Sequence, residues 1–214
     1  MERNASAQRI RTDRIRKKSE DYFDKVAATN MKIPEPVRCY ECVLDRLGEC
    51  PGGKLLDIGC GTGIMLADIS EKFGERFSLH GLDLSGESLK IAGEKCGGAA
   101  ELTKGDSENL PYEEGSFDIL LCMHSFHHYP HPIKSLREML RVLVPGGVLF
   151  LVENDHAAFR RARKNVRQIL LRYPGGDIRM YSQKSLAALV KMAGFTIEEQ
   201  ENIANHSQIL VCRK

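Results

Sequence analysis

Hydrophobic positions along this chain switch repeatedly between a short continuous run and a helical period. Residues 54–58 form a short apolar run that reads as a buried strand. Glycines follow it, and over 63–73 the apolar positions return at helical spacing. The order then repeats, with a strand at 78–82, a helix at 86–95, a weaker strand at 100–104 and a strongly apolar strand at 117–123. Over 132–143, Ile133, Leu136, Met139, Leu140 and Leu143 share one face, which predicts an amphipathic helix. Pro145-Gly146-Gly147 predicts a turn, and 148–152 a fifth strand. Strands alternating with helices predict a mostly parallel α/β sheet covered on both faces.

The two ends read differently. Residues 1–35 are polar and basic, with Arg9, Arg11, Arg14, Arg16, Lys17 and Lys18 clustered. Ile10, Ile15, Tyr22, Phe23 and Val26 can line one helical face, so this arm is expected to be a solvated or lid-forming helix. A nucleic-acid arm is the alternative. Pro34 and Pro36 mark a boundary, and a helix is expected over 36–47. Residues 36–214 then form one domain. After Glu153 come a basic helical stretch at 157–171 and a helix at 183–193, stopped by Gly194. The closing runs, 195–200 and 208–212, lack a helix between them and predict an antiparallel hairpin at the sheet edge.

Composition adds limits. A chain of 214 residues with 42% hydrophobic and 28% charged residues suits one globular domain. A net charge of +2 decides nothing about nucleic acid. No apolar run reaches the roughly 18 residues a membrane span needs. Seven cysteines cannot all pair internally, and Cys60 and Cys122 fall at buried strand ends. A disulfide-free, cytoplasmic protein is therefore expected. Cys39 and Cys42 form a Cys-x-x-Cys followed by Cys50, but no matching second pair completes a zinc or redox site, so no metal is expected.

The chemistry lies in the segment Leu55-Leu56-Asp57-Ile58-Gly59-Cys60-Gly61-Thr62-Gly63. Glycines let the backbone turn sharply and approach a ligand. Asp57 places a carboxylate beside that ligand, and the following helix offers free N–H groups. The even spacing of Gly59, Gly61 and Gly63 departs from the Gly-x-Gly-x-x-Gly of nicotinamide enzymes, and the Gly-Lys-Ser/Thr phosphate cradle is absent. About twenty residues on, Asp83 ends the second strand, where a carboxylate can accept both hydroxyls of a ribose. Asp106, after the third strand, can accept from an exocyclic amine. Cys60, Leu84, Ser107 and Met123 stand beside these positions and complete the candidate ligand set.

In combination, LLDIGCGTG, GLDLS, GDSENLPYEEGSFD and LREMLRVLVPGG running into VLFLVE resemble the class I, Rossmann-like S-adenosylmethionine-dependent methyltransferases. Within them the likeness is to the small-molecule branch that includes quinone-biosynthesis C-methyltransferases. It spans residues 54–153, and Tyr22–Ala27 looks more loosely like that group's lid-helix start. The resemblance implies a seven-stranded doubly wound sheet whose last two strands form the antiparallel hairpin. It implies S-adenosylmethionine as cofactor and S-adenosylhomocysteine as product. Gly59, Gly61 and Gly63 would face the methionine and ribose part, Asp83 the ribose hydroxyls, Asp106 with Ser107 the adenine, and Asp57 the methionine amine.

Methyl transfer is an in-line displacement, so the protein mainly holds the two reacting atoms about 3 Å apart. A base is needed only for a poorly nucleophilic acceptor. The candidates follow the fourth strand in His124-Ser125-Phe126-His127-His128. A pocket-lining role, a general base or substrate partner (His124 and His127 being the candidates), and a metal site remain open. Asn/Asp-Pro-Pro-Tyr/Phe and a Pro-Cys nucleophile, marks of nucleic-acid methylation, are absent. A small-molecule acceptor is therefore expected, with a monomer or homodimer. Methylation of RNA or protein, or a non-catalytic adenosylmethionine-binding module, are the alternatives. Residues 155–181, carrying Arg160, Arg161, Arg163, Lys164, Arg167 and Arg172, are expected to cover the substrate.

Overall fold

The computed structural model describes residues 2–28, 37–155, 179–203 and 207–214. The arginine-rich insert expected over 155–181 lies almost wholly outside these residues, as does the helix expected over 157–171.

Seven strands form one sheet in the order β3-β2-β1-β4-β5-β7-β6. They are β1 (Gly53–Ile58), β2 (Phe77–Asp83), β3 (Ala100–Lys104), β4 (Phe117–Met123), β5 (Leu143–Asn154), β6 (Thr196–Ile203) and β7 (Ser207–Arg213). The first five run parallel, while β7 pairs antiparallel with both β5 and β6. The described helices are α1 (Glu2–Ala28), α2 (Val37–Glu49), α3 (Ile64–Phe73), α4 (Gly86–Cys96), α5 (Pro132–Val142) and α6 (Gln183–Ala193). None is long and apolar enough to cross a membrane.

Strand alternation divides the core. Leu56, Leu120 and Cys122 face Leu136 and Met139 of α5 and Leu186 of α6. Leu55, Ile119 and Leu121 face Val43 and Leu47 of α2 and Leu66 and Ile69 of α3. With both faces covered, central strands must be apolar throughout, which is why β1 and β4 read as continuous runs. Helix ends are set by local chemistry. The Ser85 hydroxyl accepts from Ser88 N at 3.0 Å to cap α4, and Ser182 with Ser185 forms a capping box on α6.

Two expectations are corrected. The fifth strand begins at Leu143, not Val148, because Leu143 already pairs with Phe117. Pro145–Gly147 is absorbed into the strand beside a register shift between Phe117 and Ile119. On α1, Ile10 is 63% exposed and takes no part in a buried face. The inward side carries Thr12 and Ser19 before Val26 and Ala27, because its first half lies over polar loop ends.

Candidate active site

The strand order reverses between β1 and β4, and parallel sheets bind ligands outside the carboxyl ends at such a point. A cavity of about 790 Å³ lies there, lined from β1, β2, β4 and α4 and by Arg16, Ser19, Phe23 and Val26 of α1.

Asp57 and Asp83 line this cavity. Asp57 is 3% exposed, and its Oδ1 is buried with no hydrogen-bond partner. Burial, and then the nearby Asp83 charge, push its carboxyl from an ordinary 3.8 up to about 7. Asp83 is anchored on both oxygens. Gly61 N donates to Oδ2 at 2.8 Å and Ser85 N to Oδ1 at 2.9 Å. Burial raises its pKa, while these backbone donors oppose the shift. The carboxylate thus fixes the glycine turn against the end of β2.

The three glycines do different work. A Cβ on Gly59 would lie 2.5 Å from Ser125 Cβ, where the Ser125 hydroxyl donates to Ile58 O at 2.9 Å. Gly61 meets nothing within 4 Å of such a Cβ and opens to the cavity. Gly63, expected to face a ligand, is not on the cavity wall. Its backbone φ is 73°, and an added Cβ would lie 2.8 Å from Ala92 Cβ, so it serves the packing of α3 on α4. Gly63→Ala should cost about 2–4 kcal/mol through strain and overpacking. Denaturant unfolding checks this, and a loss under about 0.5 kcal/mol would contradict the packing role.

Asp106 and Ser107 also line the cavity, but neither is idle. Asp106 Oδ2 is 2.7 Å from Arg16 Nε, and its Oδ1 accepts from Glu108 N at 2.9 Å. Ser107 and Ser135 hydroxyls are 3.1 Å apart. Glu108, 1% exposed, accepts from Arg16 Nη2 at 2.7 Å and His131 N at 2.9 Å. Farther along α1, Glu20 holds Lys104 at 2.7 Å, and Asp24 accepts from the Ser85 hydroxyl at 2.5 Å. Arg16, Glu20 and Asp24 stand four residues apart, so one stripe of the helix grips the ends of β2 and β3.

The histidines separate. His124 lines the cavity at the end of β4 with φ of 50°, and His128 lines it from the 3₁₀ turn Phe126–His128. His127 does not. Its Nδ1 lies 2.9 Å from Glu153 Oε2, and its backbone N donates to Oε1 at 3.1 Å. Burial alone would raise the Glu153 carboxyl, but His127 and then His124 hold it below its ordinary value.

The structure therefore gathers Asp57, Gly59, Cys60, Gly61, Asp83, Leu84, Asp106, Ser107, Met123 and His124 around one cavity, and leaves Gly63 and His127 off its wall. Burial drives the Cys60 thiol well above its usual range, which removes it as a nucleophile. Sequence reading missed Glu153, Glu108, Arg16 and Tyr129. The Tyr129 hydroxyl donates to Ile58 O at 3.2 Å and braces the β4 loop.

Comparison with known proteins agrees with this architecture. A family profile described as a methyltransferase domain matches residues 56–151. A demethylmenaquinone methyltransferase of Lactococcus lactis subsp. lactis is 31% identical over 190 residues, covering 76% of this chain and 75% of that protein. Staphylococcus epidermidis relatives of the same name match over about half their length, 48%. Among solved structures, a SAM-dependent methyltransferase from Aquifex aeolicus shares the fold with a TM-score of 0.70 at 21% identity, covering 87% of this chain and 97% of that one. A chain from the complex of the Haloferax volcanii Trm112 methyltransferase activator with its methyltransferase reaches 0.75 at 20% identity, covering 89% and 96%. From the length and identity of the Lactococcus match, together with the profile match and the strand order, the chain belongs to the class I S-adenosylmethionine-dependent methyltransferases.

Proposed function

We propose that the cavity holds S-adenosylmethionine against the glycine turn and presents its methyl group to a small organic acceptor. The observation that carries this reading is Asp57. A buried carboxylate oxygen without a partner is costly, and a ligand ammonium removes the cost. When bound, the cofactor supplies a methyl on a sulfonium, already an excellent leaving group. The chain's own residues supply the rest. Asp57 pairs with the amine, and Asp83, held by backbone donors, accepts from ribose hydroxyls. Asp106 accepts from adenine while sharing its charge with Arg16. Residues 1–35 act as a lid, with Phe23 and Val26 of α1 excluding water from the cavity.

For the acceptor, the walls favour a compact ring. Phe23, Tyr40, Met123, His128 and Tyr129 are largely apolar and aromatic surface. The Lactococcus relative is named for demethylmenaquinone, and we extend from that name only to an oxygen-bearing ring compound as acceptor. Methylation of nucleic acid fits less well. Arg16, central to the basic arm, is turned inward onto Asp106 and Glu108. Labelled methyl transfer from S-adenosylmethionine, screened over hydroxylated and ketonic ring compounds, tRNA and protein, tests the reading. Label is expected in ring compounds alone. Incorporation into tRNA that falls steeply with salt would overturn it.

A further inference from the structure

Two buried imidazoles are left without a role by the cofactor contacts. His124 and His128 both line the cavity, and His124 Nε2 and His128 Nδ1 are buried with no hydrogen-bond partner. Each such atom costs about 1–3 kcal/mol unless something completes it. Two on adjoining parts of one wall point to a ligand that completes both. His124 carries a second sign. It is the sole non-glycine with positive φ among the described residues, a conformation that costs on the order of 1 kcal/mol and persists where surroundings enforce it. The enforcing contact is His124 N donating to Val152 O at 2.9 Å. His128 is fixed by the edge of Phe23, ring centroids 5.0 Å apart at 84°, and by His127 at 4.1 Å.

Neither ring suits a positive charge. Burial lowers both pKa values, and His127 pushes each the same way, while Glu153 opposes the shift at His124. The other charged groups on the cavity wall, among the described residues, are Asp57, Asp83, Asp106, Arg16 and Lys95. Arg16 and Asp106 pair with each other, so Asp57 and Asp83 face a single uncommitted cation, Lys95. That surface repels an anionic acceptor. A neutral imidazole nitrogen, donor or acceptor according to tautomer, matches a hydroxyl or carbonyl.

Resting on the small-acceptor reading, we propose that His124 and His128 form the acceptor subsite. They take an uncharged ring bearing a hydroxyl or carbonyl oxygen and discriminate against its carboxylate analogue. The full chain, saturated with S-adenosylhomocysteine, is titrated calorimetrically with 1-naphthol, naphthalene and 1-naphthoate. 1-Naphthol should bind at least about tenfold tighter than either other ring. The preference should vanish in His128→Phe and in His124→Asn, whose side chain tolerates the left-handed backbone. Equal or tighter binding of 1-naphthoate, no preference among the three (no binding included), or a preference surviving both substitutions overturns the proposal. Histidine ring ¹⁵N spectra of the ligand-free chain give a second test. At pH 6.5, where an unperturbed imidazole is half protonated, both rings should be mostly neutral, and a ring more than half protonated overturns the proposal. Failure of S-adenosylhomocysteine itself to bind would strike the cofactor reading instead, and the ring spectra would still decide the state of the two histidines.

Discussion

Asp83→Ala should lower affinity for S-adenosylhomocysteine by at least about a hundredfold. Two losses combine. The ribose hydroxyls lose a charged acceptor, a contact of about 1.5–3 kcal/mol. Gly61 N and Ser85 N lose the carboxylate that pins the glycine turn to the end of β2, so the remaining cofactor contacts lose their fixed geometry. Each 1.4 kcal/mol is tenfold, so two such terms reach the expected range. Asp83→Asn separates them, since its amide oxygen can still accept from Gly61 N while the charge is gone. It should fall between wild type and alanine. Calorimetric titration reads both, and wild-type affinity in the alanine variant would remove Asp83 from the site.

Asp57→Asn should do two opposite things, stabilising the free protein and weakening cofactor binding. The sign follows from the pKa. The folded carboxyl is raised from 3.8 to about 7, so the folded chain holds this proton more tightly than the unfolded chain. The penalty is therefore absent below about pH 4, grows as pH rises through the window, and is complete above about pH 7. Removing the charge should raise stability by on the order of 2 kcal/mol at pH 8, roughly 6 °C in melting temperature. At pH 4 the gain should nearly disappear. The same substitution removes the partner of the ligand's ammonium, and affinity should drop about tenfold or more. Melting curves at the two pH values check the first half. A variant less stable than wild type at pH 8 would mean that Asp57 is satisfied in the free protein, contrary to its unpartnered Oδ1.

Much of this was legible along the chain because the informative signals are local. Asp57 and Asp83 end buried strands, and a carboxylate in that position reads as a ligand contact before any coordinate is known. The hairpin of β6 and β7 followed from two closing runs with no helix between them. What stayed hidden depends on distant partners. Arg16 meets Glu108 across 92 residues, and His127 meets Glu153 across 26, and neither pairing leaves a period in the sequence. Of the consecutive pair the sequence favoured His127 over His128, yet a 3₁₀ turn rotates successive side chains by about 120°. One therefore meets Glu153 and the other the cavity. The packing of Gly63 was hidden for a similar reason. Its neighbour Ala92 lies on the next helix, so packing and ligand approach demand the same residue there.

The proposed function turns on whether the Asp57 and Asp83 crevice binds the adenosyl cofactor. Calorimetric titration of the wild-type chain at pH 7 with S-adenosylhomocysteine, in two buffers of different ionisation enthalpy, tests it most directly. Binding should be micromolar and should release up to about half a proton, because the ammonium favours the charged form of a carboxyl that is half protonated there. Absence of binding, or binding of NADH in its place, would contradict the claim. Tight binding without proton release would keep the cofactor and remove Asp57 from contact with its amine.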